Sequence, residues 1–261
     1  MIDKSKRDNI AKSFGSASQS YDISARLQRF SGKNLMPWLP KRHDITVLDL
    51  GCGTGFFTDI LAAKYQHVIG VDISAKMLSY AHNNRNKMIT WLEGDAYHLP
   101  IADQSIDLVY SNLMIQWCDP LELVLKEVLR VLKPGGLFVF STLLDGTLHE
   151  LKSSWKAVDN DRHVIDFKSL QELKNCFDIP NAKLLEFHDK PVVLEYENVL
   201  HLARELKGLG ANHVPEKSNR GLAGKEKWQK MMTAYAQFVE QDNIFPATYH
   251  VFSGLMVKLK A

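Results

Sequence analysis

One stretch constrains this chain more than any other: Val47-Leu48-Asp49-Leu50-Gly51-Cys52-Gly53-Thr54-Gly55. A short apolar run ends on an acid, and the backbone then turns through three glycines into a helical segment, Phe56 to Lys64. Glycines at alternate positions permit unusual φ/ψ and let a ligand approach bare backbone. In open parallel sheets, ligands sit just here, beyond the carboxyl end of the first strand. The spacing is G-x-G-x-G and not the dinucleotide G-x-G-x-x-G, because Phe56 fills the slot of the last glycine. Taken alone, the same spacing also fits an ordinary tight turn. The context adds a second apolar run, His67 to Val71, that ends on Asp72. An acid at the end of a second strand suits a ribose diol, which offers two hydroxyl donors to one carboxylate.

The pattern around this stretch alternates strand and helix. Strands are predicted near 45–50, 67–72, 88–93, 106–112 and 136–142, with helices near 55–64, 75–84 and 120–132. Such alternation implies right-handed crossovers and a mostly parallel sheet with flanking helices, an α/β fold. Pro134-Gly135-Gly136 reads as the turn that ends the helix before the fifth strand. Residues 1–40 read as two helices forming a lid, with stripes Ile10, Phe14, Ala17 and Leu27, Phe30, Leu35. The cofactor-binding core is 41–142. A helical insert, 143–181, rejoins the sheet at Lys183–His188 and Pro191–Tyr196, and a second insert, 197–246, opens with a helix from Asn198 to Lys207. The last strand is expected at Tyr249–Lys258. No Pro/Gly/Ser linker divides the chain, so 1–261 reads as a single domain, and 261 residues with 45% apolar content can bury one sizeable core.

Bulk properties exclude several classes. A net charge of +2 carries no nucleic-acid signal. Cys52, Cys118 and Cys176 are isolated and odd in number, so neither a disulfide framework nor a zinc site is expected. The first residues lead into no apolar h-region, and no 18-residue apolar stretch follows. A soluble protein of the reducing cytoplasm, with no membrane and no metal, is the expectation.

In residues 45–142 the chain resembles the class I S-adenosylmethionine-dependent methyltransferases. The match consists of the Asp49–Gly55 loop, Asp72, Gly94-Asp95-Ala96 and Leu132-Lys133-Pro134-Gly135-Gly136, in that order. The resemblance implies a Rossmann-like, seven-stranded sheet. It gives the methionyl part of the cofactor to Asp49 and the loop Gly51, Gly53 and Gly55, the ribose to Asp72, and the adenine edge to Asp95 and Ala96. Ile73, Met77, Asn112, Leu113 and Gln28 complete the implied cofactor site; Asn112 also ends the fourth strand, where a ligand-facing residue is expected.

Residues outside the core sharpen the resemblance. Phe14, Ser20-Tyr21-Asp22, Leu27-Gln28, Ser111-Asn112-Leu113, Gln116-Trp117-Cys118 and Phe140-Ser141-Thr142-Leu143 are similar to the malonyl-[acyl-carrier-protein] O-methyltransferase family of biotin biosynthesis. So are Trp155, Val158-Asp159, His163-Val164, Phe167, Leu206–Asn212, Gly221-Leu222 and Ala247-Thr248-Tyr249. The chain departs from that pattern at Ile165, where the family carries Asn. The resemblance implies methyl transfer from S-adenosylmethionine to the free carboxylate of a malonyl thioester, so that enzymes with apolar pockets accept it.

The chemistry can be followed from the reactants. A carboxylate of pKa about 4 is already an anion at pH 7, so no general base is expected. The enzyme supplies in-line placement, water exclusion and a charge-assisted grip on the carboxylate. His163 and Arg204 are the candidates for that grip, with Tyr21, Trp117, Thr142 and Tyr249 as wall or hydrogen-bond residues. Periodicity alone also reads Tyr21 and Trp117 as packing aromatics, Gln28 and Arg204 as solvated helix residues, and His163 as a helix-face histidine. An acidic acyl carrier protein would dock on basic residues. The run 204–230, with Lys207, Lys217, Arg220, Lys225, Lys227 and Lys230, is the candidate, although such a run is usually just a solvated face. Competing readings are a methyltransferase of another small molecule such as a quinone precursor, a nicotinamide oxidoreductase (disfavoured by Phe56), and a non-catalytic S-adenosylmethionine-binding regulator.

Overall fold

A computed structural model of the chain describes residues 4–211, 223–239 and 241–260. Seven strands form one sheet: β1 (Thr46–Leu50), β2 (His67–Asp72), β3 (Thr90–Glu93), β4 (Ile106–Asn112), β5 (Leu132–Leu143), β6 (Ala182–Tyr196) and β7 (Phe245–Lys258). Their order is β3-β2-β1-β4-β5-β7-β6, with β7 antiparallel to both of its neighbours and the first five strands parallel. The helices are α1 (Lys4–Ser16), α2 (Tyr21–Ser24), α3 (Arg26–Leu35), α4 (Phe56–Ala62), α5 (Ala75–Asn84), α6 (Leu121–Val131), α7 (His149–Lys156), α8 (Leu170–Cys176), α9 (Val199–Gly208) and α10 (Ala223–Tyr235). The expected class I arrangement with its seven-stranded sheet is what the chain adopts.

Val47, Leu48 and Leu50 of β1 are buried on both faces, as a central parallel strand requires. One core lies between the sheet and α6 with α8; another lies between the sheet and α3 with α4. A third apolar cluster sits beyond the strand ends and is built from the N-terminal helices and the inserts, with Leu27, Leu148, Leu151, Leu202, Met231 and Tyr249 among its members. This third cluster contains the larger of the two chambers described below.

The structure corrects several details. The N-terminal region holds three helices, and the buried stripe of α3 is Leu27, Ser31, Gly32 and Leu35, while Phe30 is 46% exposed. Gly32 lies so close to the Phe57 ring that a Cβ would stand 2.2 Å from it, so small residues set this packing. The Pro134-Gly135-Gly136 turn falls inside β5 as an irregularity opposite Ile106 and Leu108. The two segments expected on either side of Lys190 are one strand, β6. Pro191 is tolerated because β6 is the sheet edge. The first insert is helical only in α7 and α8, and 157–169 is irregular.

Candidate functional site

The donor side begins with the glycine loop. Gly51, Gly53 and Gly55 all adopt left-handed backbone, with φ of 76°, 53° and 75°, and any side chain there would be strained. A Cβ on Gly53 would meet nothing within 4 Å, so this position faces open space. That space is a cleft of about 110 Å³ lined by Gly51, Gly53, Asp72, Ile73, Met77 and Asp95, together with Ala96, Asn112 and Leu113. A smaller annex of about 40 Å³ continues past Tyr21, Gln28, Asp49 and Arg29. Thus all the residues assigned to the cofactor converge except Gly55, which caps α4 beneath the loop, where a Cβ would strike Trp91 at 2.5 Å.

Two carboxylates, Asp72 and Asp95, face the cleft, and a third, Asp49, faces its annex. Asp72 accepts from the backbone N–H of Gly53 at 2.9 Å and of Ser74 at 2.8 Å, which fixes loop and acid together. Withdrawal from water pushes the Asp72 carboxyl up in pKa, against those bonds. Burial likewise lifts Asp49 from the usual 3.8 to about 7, opposed by the 2.6 Å bond from Thr58 and reinforced by Asp72. Asp95 is paired with Arg7 of α1, a cleft residue that sequence reasoning missed. Fit to the nucleoside donor is tested by one atom: Gln28 Oε1 is out of water with no donor among the described residues. A buried acceptor left unpaired is costly; beside Asp49 it suits an incoming ammonium, as on the methionyl part of S-adenosylmethionine.

A second chamber of about 160 Å³, the candidate acceptor side, lies within the third apolar cluster. It meets the donor cleft at Phe14, Tyr21, Leu113 and Trp117, which line both spaces. Trp117 stands edge-on to Phe14 at 5.2 Å. Leu113 has φ of 51° and is held there by bonds from its N–H to Ser141 O and Oγ, at 3.1 and 3.0 Å. Such strain at a non-glycine residue concentrates at functional sites. Tyr21 has its hydroxyl pushed up in pKa by burial and by the carboxylates of Asp72, Asp22 and Asp49, so it stays a neutral donor.

His163 lines the acceptor chamber, stacked on Trp155 at 3.7 Å between ring centres. Its Nε2 lies 2.8 Å from Asp159 Oδ1, and Lys227 reaches Asp159 Oδ2 at 2.7 Å. Burial would raise the Asp159 carboxyl, but Lys227 and His163 outweigh it and hold the pKa below its ordinary value. Asp159, Asp161 and His163 form the group of three metal-type donors among the described residues, and the Lys227 ammonium already occupies its carboxylates. Tyr249 lines the chamber as expected. Thr142 stands behind Gln116, which it contacts at 3.4 Å, and Gln116 takes the wall position.

Arg204 is exposed and lies off the chamber; its neighbour Glu205 lines it instead. Glu205 accepts from Arg26 and from the Tyr196 hydroxyl, both at 2.8 Å. The signal was available: Val199, Leu202 and Glu205 share the buried face of α9, and Arg204 does not. Of the basic run, Lys207, Lys225 and Lys230 are exposed, Lys227 is committed to Asp159, and Lys217 and Arg220 lie outside the described residues.

The general methyltransferase-domain family model matches residues 48–140. A malonyl-[acyl-carrier protein] O-methyltransferase from Yersinia pestis is 38% identical over 251 residues, covering 95% of this chain and 91% of the relative. The biotin biosynthesis bifunctional protein BioHC of Cellvibrio japonicus is 38% identical over 258 residues, which is 98% of this chain and 51% of that protein. Among solved structures, geranyl diphosphate C-methyltransferase from Streptomyces coelicolor superposes with a TM-score of 0.56 at 16% identity, covering 90% of this chain and 80% of that one. No helix among the described residues is long and apolar enough to cross a membrane.

Proposed function

The chain belongs to the malonyl-[acyl-carrier protein] O-methyltransferase family, and from that premise we propose that it methylates the free carboxylate of a malonyl thioester on acyl carrier protein, an early step of biotin synthesis in the cytoplasm. One observation carries the reading: Phe14, Tyr21, Leu113 and Trp117 line both the donor cleft and the acceptor chamber, and we read this shared wall as the aperture between them. S-adenosylmethionine, when bound, supplies a methyl group already activated by the sulfonium charge.

The chain's own residues do the rest. The glycine loop, Asp49 and Gln28 hold the methionyl end, Asp72 takes the ribose hydroxyls, and Asp95 with Ala96 takes the adenine edge. The aperture aromatics align the two reactants and exclude water, which is where positioning lowers the barrier. Asp159 holds the His163 ring by Nε2, leaving Nδ1 without a hydrogen bond among the described residues. As an imidazolium, the form in which both ring nitrogens donate, His163 would grip the malonyl carboxylate through a charge-assisted bond from Nδ1–H. No side chain removes a proton, because the acceptor is ionised before it arrives. The carrier protein docks on the exposed cations Lys207, Lys225 and Lys230, which steer an acidic partner.

Turnover with malonyl-carrier protein, with a small malonyl thioester and with free small acceptors tests the reading. Methyl ester formation on both malonyl substrates, fastest with the carrier, is the expected result. Turnover only of a small hydroxyl, carbon or amine acceptor would replace it.

A further inference from the structure

At the rim of the annex, a polar contact between distant parts of the chain joins α2 to the glycine loop. Asp22 accepts from the Thr54 hydroxyl at 2.5 Å through Oδ1, and Oδ2 pairs with the Arg85 guanidinium. Arg85 also donates from Nε to the Thr54 carbonyl at 2.9 Å, so both polar ends of Thr54 outside its N–H are taken. Thr54 is 1% exposed, and the Asp22 and Arg85 side chains are only 20% and 15% exposed. Arg29 closes the group by donating to the Asp22 carbonyl at 2.6 Å. The two guanidinium groups flank Phe56, at 4.9 and 5.8 Å from its ring centre. Phe56 is the residue that fills the slot of the missing dinucleotide glycine.

What this latch joins matters more than its strength. On one side, Thr54 sits between Gly53, whose N–H holds Asp72, and Gly55, whose φ of 75° starts α4. On the other side, Asp22 is bonded in sequence to Tyr21, which lines both chambers at the aperture. The loop touches the donor and the latch; the latch sets the segment that touches the acceptor. We propose that Asp22 is a positioning residue: with Arg85 and Thr54 it makes loop and lid one unit, so that the cofactor-bound loop sets Tyr21 at the aperture. Donor binding then precedes and prepares acceptor binding. The proposal rests on the reading above that methyl transfer occurs at this aperture.

Hydrogen exchange with S-adenosylhomocysteine as the probe tests the coupling without turnover. In the wild type, ligand slows exchange of the amides of residues 20–28. In Asp22→Asn, with ligand held at saturation, that protection is lost. A turnover cycle adds the role of Tyr21. Asp22→Asn lowers kcat about tenfold in the wild-type background and less than about twofold in a Tyr21→Ala background, because its effect runs through Tyr21. Retained protection, or equal losses in both backgrounds, overturns the proposal. Arg85→Gln, which removes the ion pair to Asp22 and the bond to the Thr54 carbonyl from a residue off both chambers, carries the measurements with the same loss of protection expected if Asp22→Asn unfolds; unfolding of both overturns a positioning role. A wild type inert toward every malonyl thioester would sink the functional reading, while the exchange experiment would still judge the latch.

Discussion

The donor cleft takes its shape from backbone, with three left-handed glycines and the ends of β1, β2 and β4. The acceptor chamber is a gap among side chains drawn from α1, α3, α7, α9, α10 and β7. The first presents three carboxylates and an amide oxygen that has no donor among the described residues. The second offers an apolar wall, one histidine and a neutralised acid. The difference follows from the ligands. A nucleoside with an amino-acid tail presents many donors, whereas the acceptor presents one anion that has to be stripped of water. Backbone recognition tolerates little change, and side-chain recognition can be retuned residue by residue.

The largest effect should come from a backbone position. Gly53→Val places a branched side chain at φ of 53° and into the cleft; affinity for S-adenosylhomocysteine by calorimetry should fall by about a thousandfold or more. Asp72→Ala should cost about 1.5–3 kcal/mol of the same binding, the range for bonds to a charged acceptor, with the fold intact. If both variants bound normally, the cleft would not be the donor site.

On the acceptor side, His163→Ala should lower kcat/KM for the malonyl substrate by about tenfold and leave cofactor affinity unchanged. Loss of both would erase the division of labour between the chambers. A smaller effect is expected from pH. Asp49 must be ionised to meet an ammonium, and its pKa is lifted to about 7; cofactor affinity should therefore drop about threefold from pH 7.5 to 6.5, a dependence abolished in Asp49→Asn. The same shift makes the ligand-free protein lose stability as pH rises from about 4 to 7, because the folded state binds the extra proton in that window. Arg204→Ala should change kcat/KM by less than about twofold, as for an exposed residue off the site.

The same division decides what could be read in advance. Glycine spacing encodes backbone conformation locally, so Gly51, Gly53 and the parallel core were legible from residue order, Asp72 from its place at a strand end, and Asp95 through the family resemblance alone. The acceptor wall depends on which helix face turns inward, and adjacent residues swap roles: Glu205 lines the chamber where Arg204 was expected, and Gln116 stands where Thr142 was. Lys227 looked like one cation in a solvated run, because Asp159 is distant in sequence. Phe30 failed because α3 packs through Ser31 and Gly32, residues that a hydrophobic pattern does not count. Pro191 broke the pattern of β6, although an edge strand has room for it.

The sheet order also sets a timetable for synthesis. β7 lies between β5 and β6, yet it is the last of the seven strands to leave the ribosome. Until then β6 has no partner, and β5 offers an open edge with Phe138 and Phe140 behind it. The strands and turns of the donor cleft are all complete earlier, while Ala247 and Tyr249 of β7 belong to the acceptor cluster. A nascent chain stalled before β7 would thus retain S-adenosylhomocysteine on a filter and methylate nothing, a donor half waiting for its acceptor half to be translated.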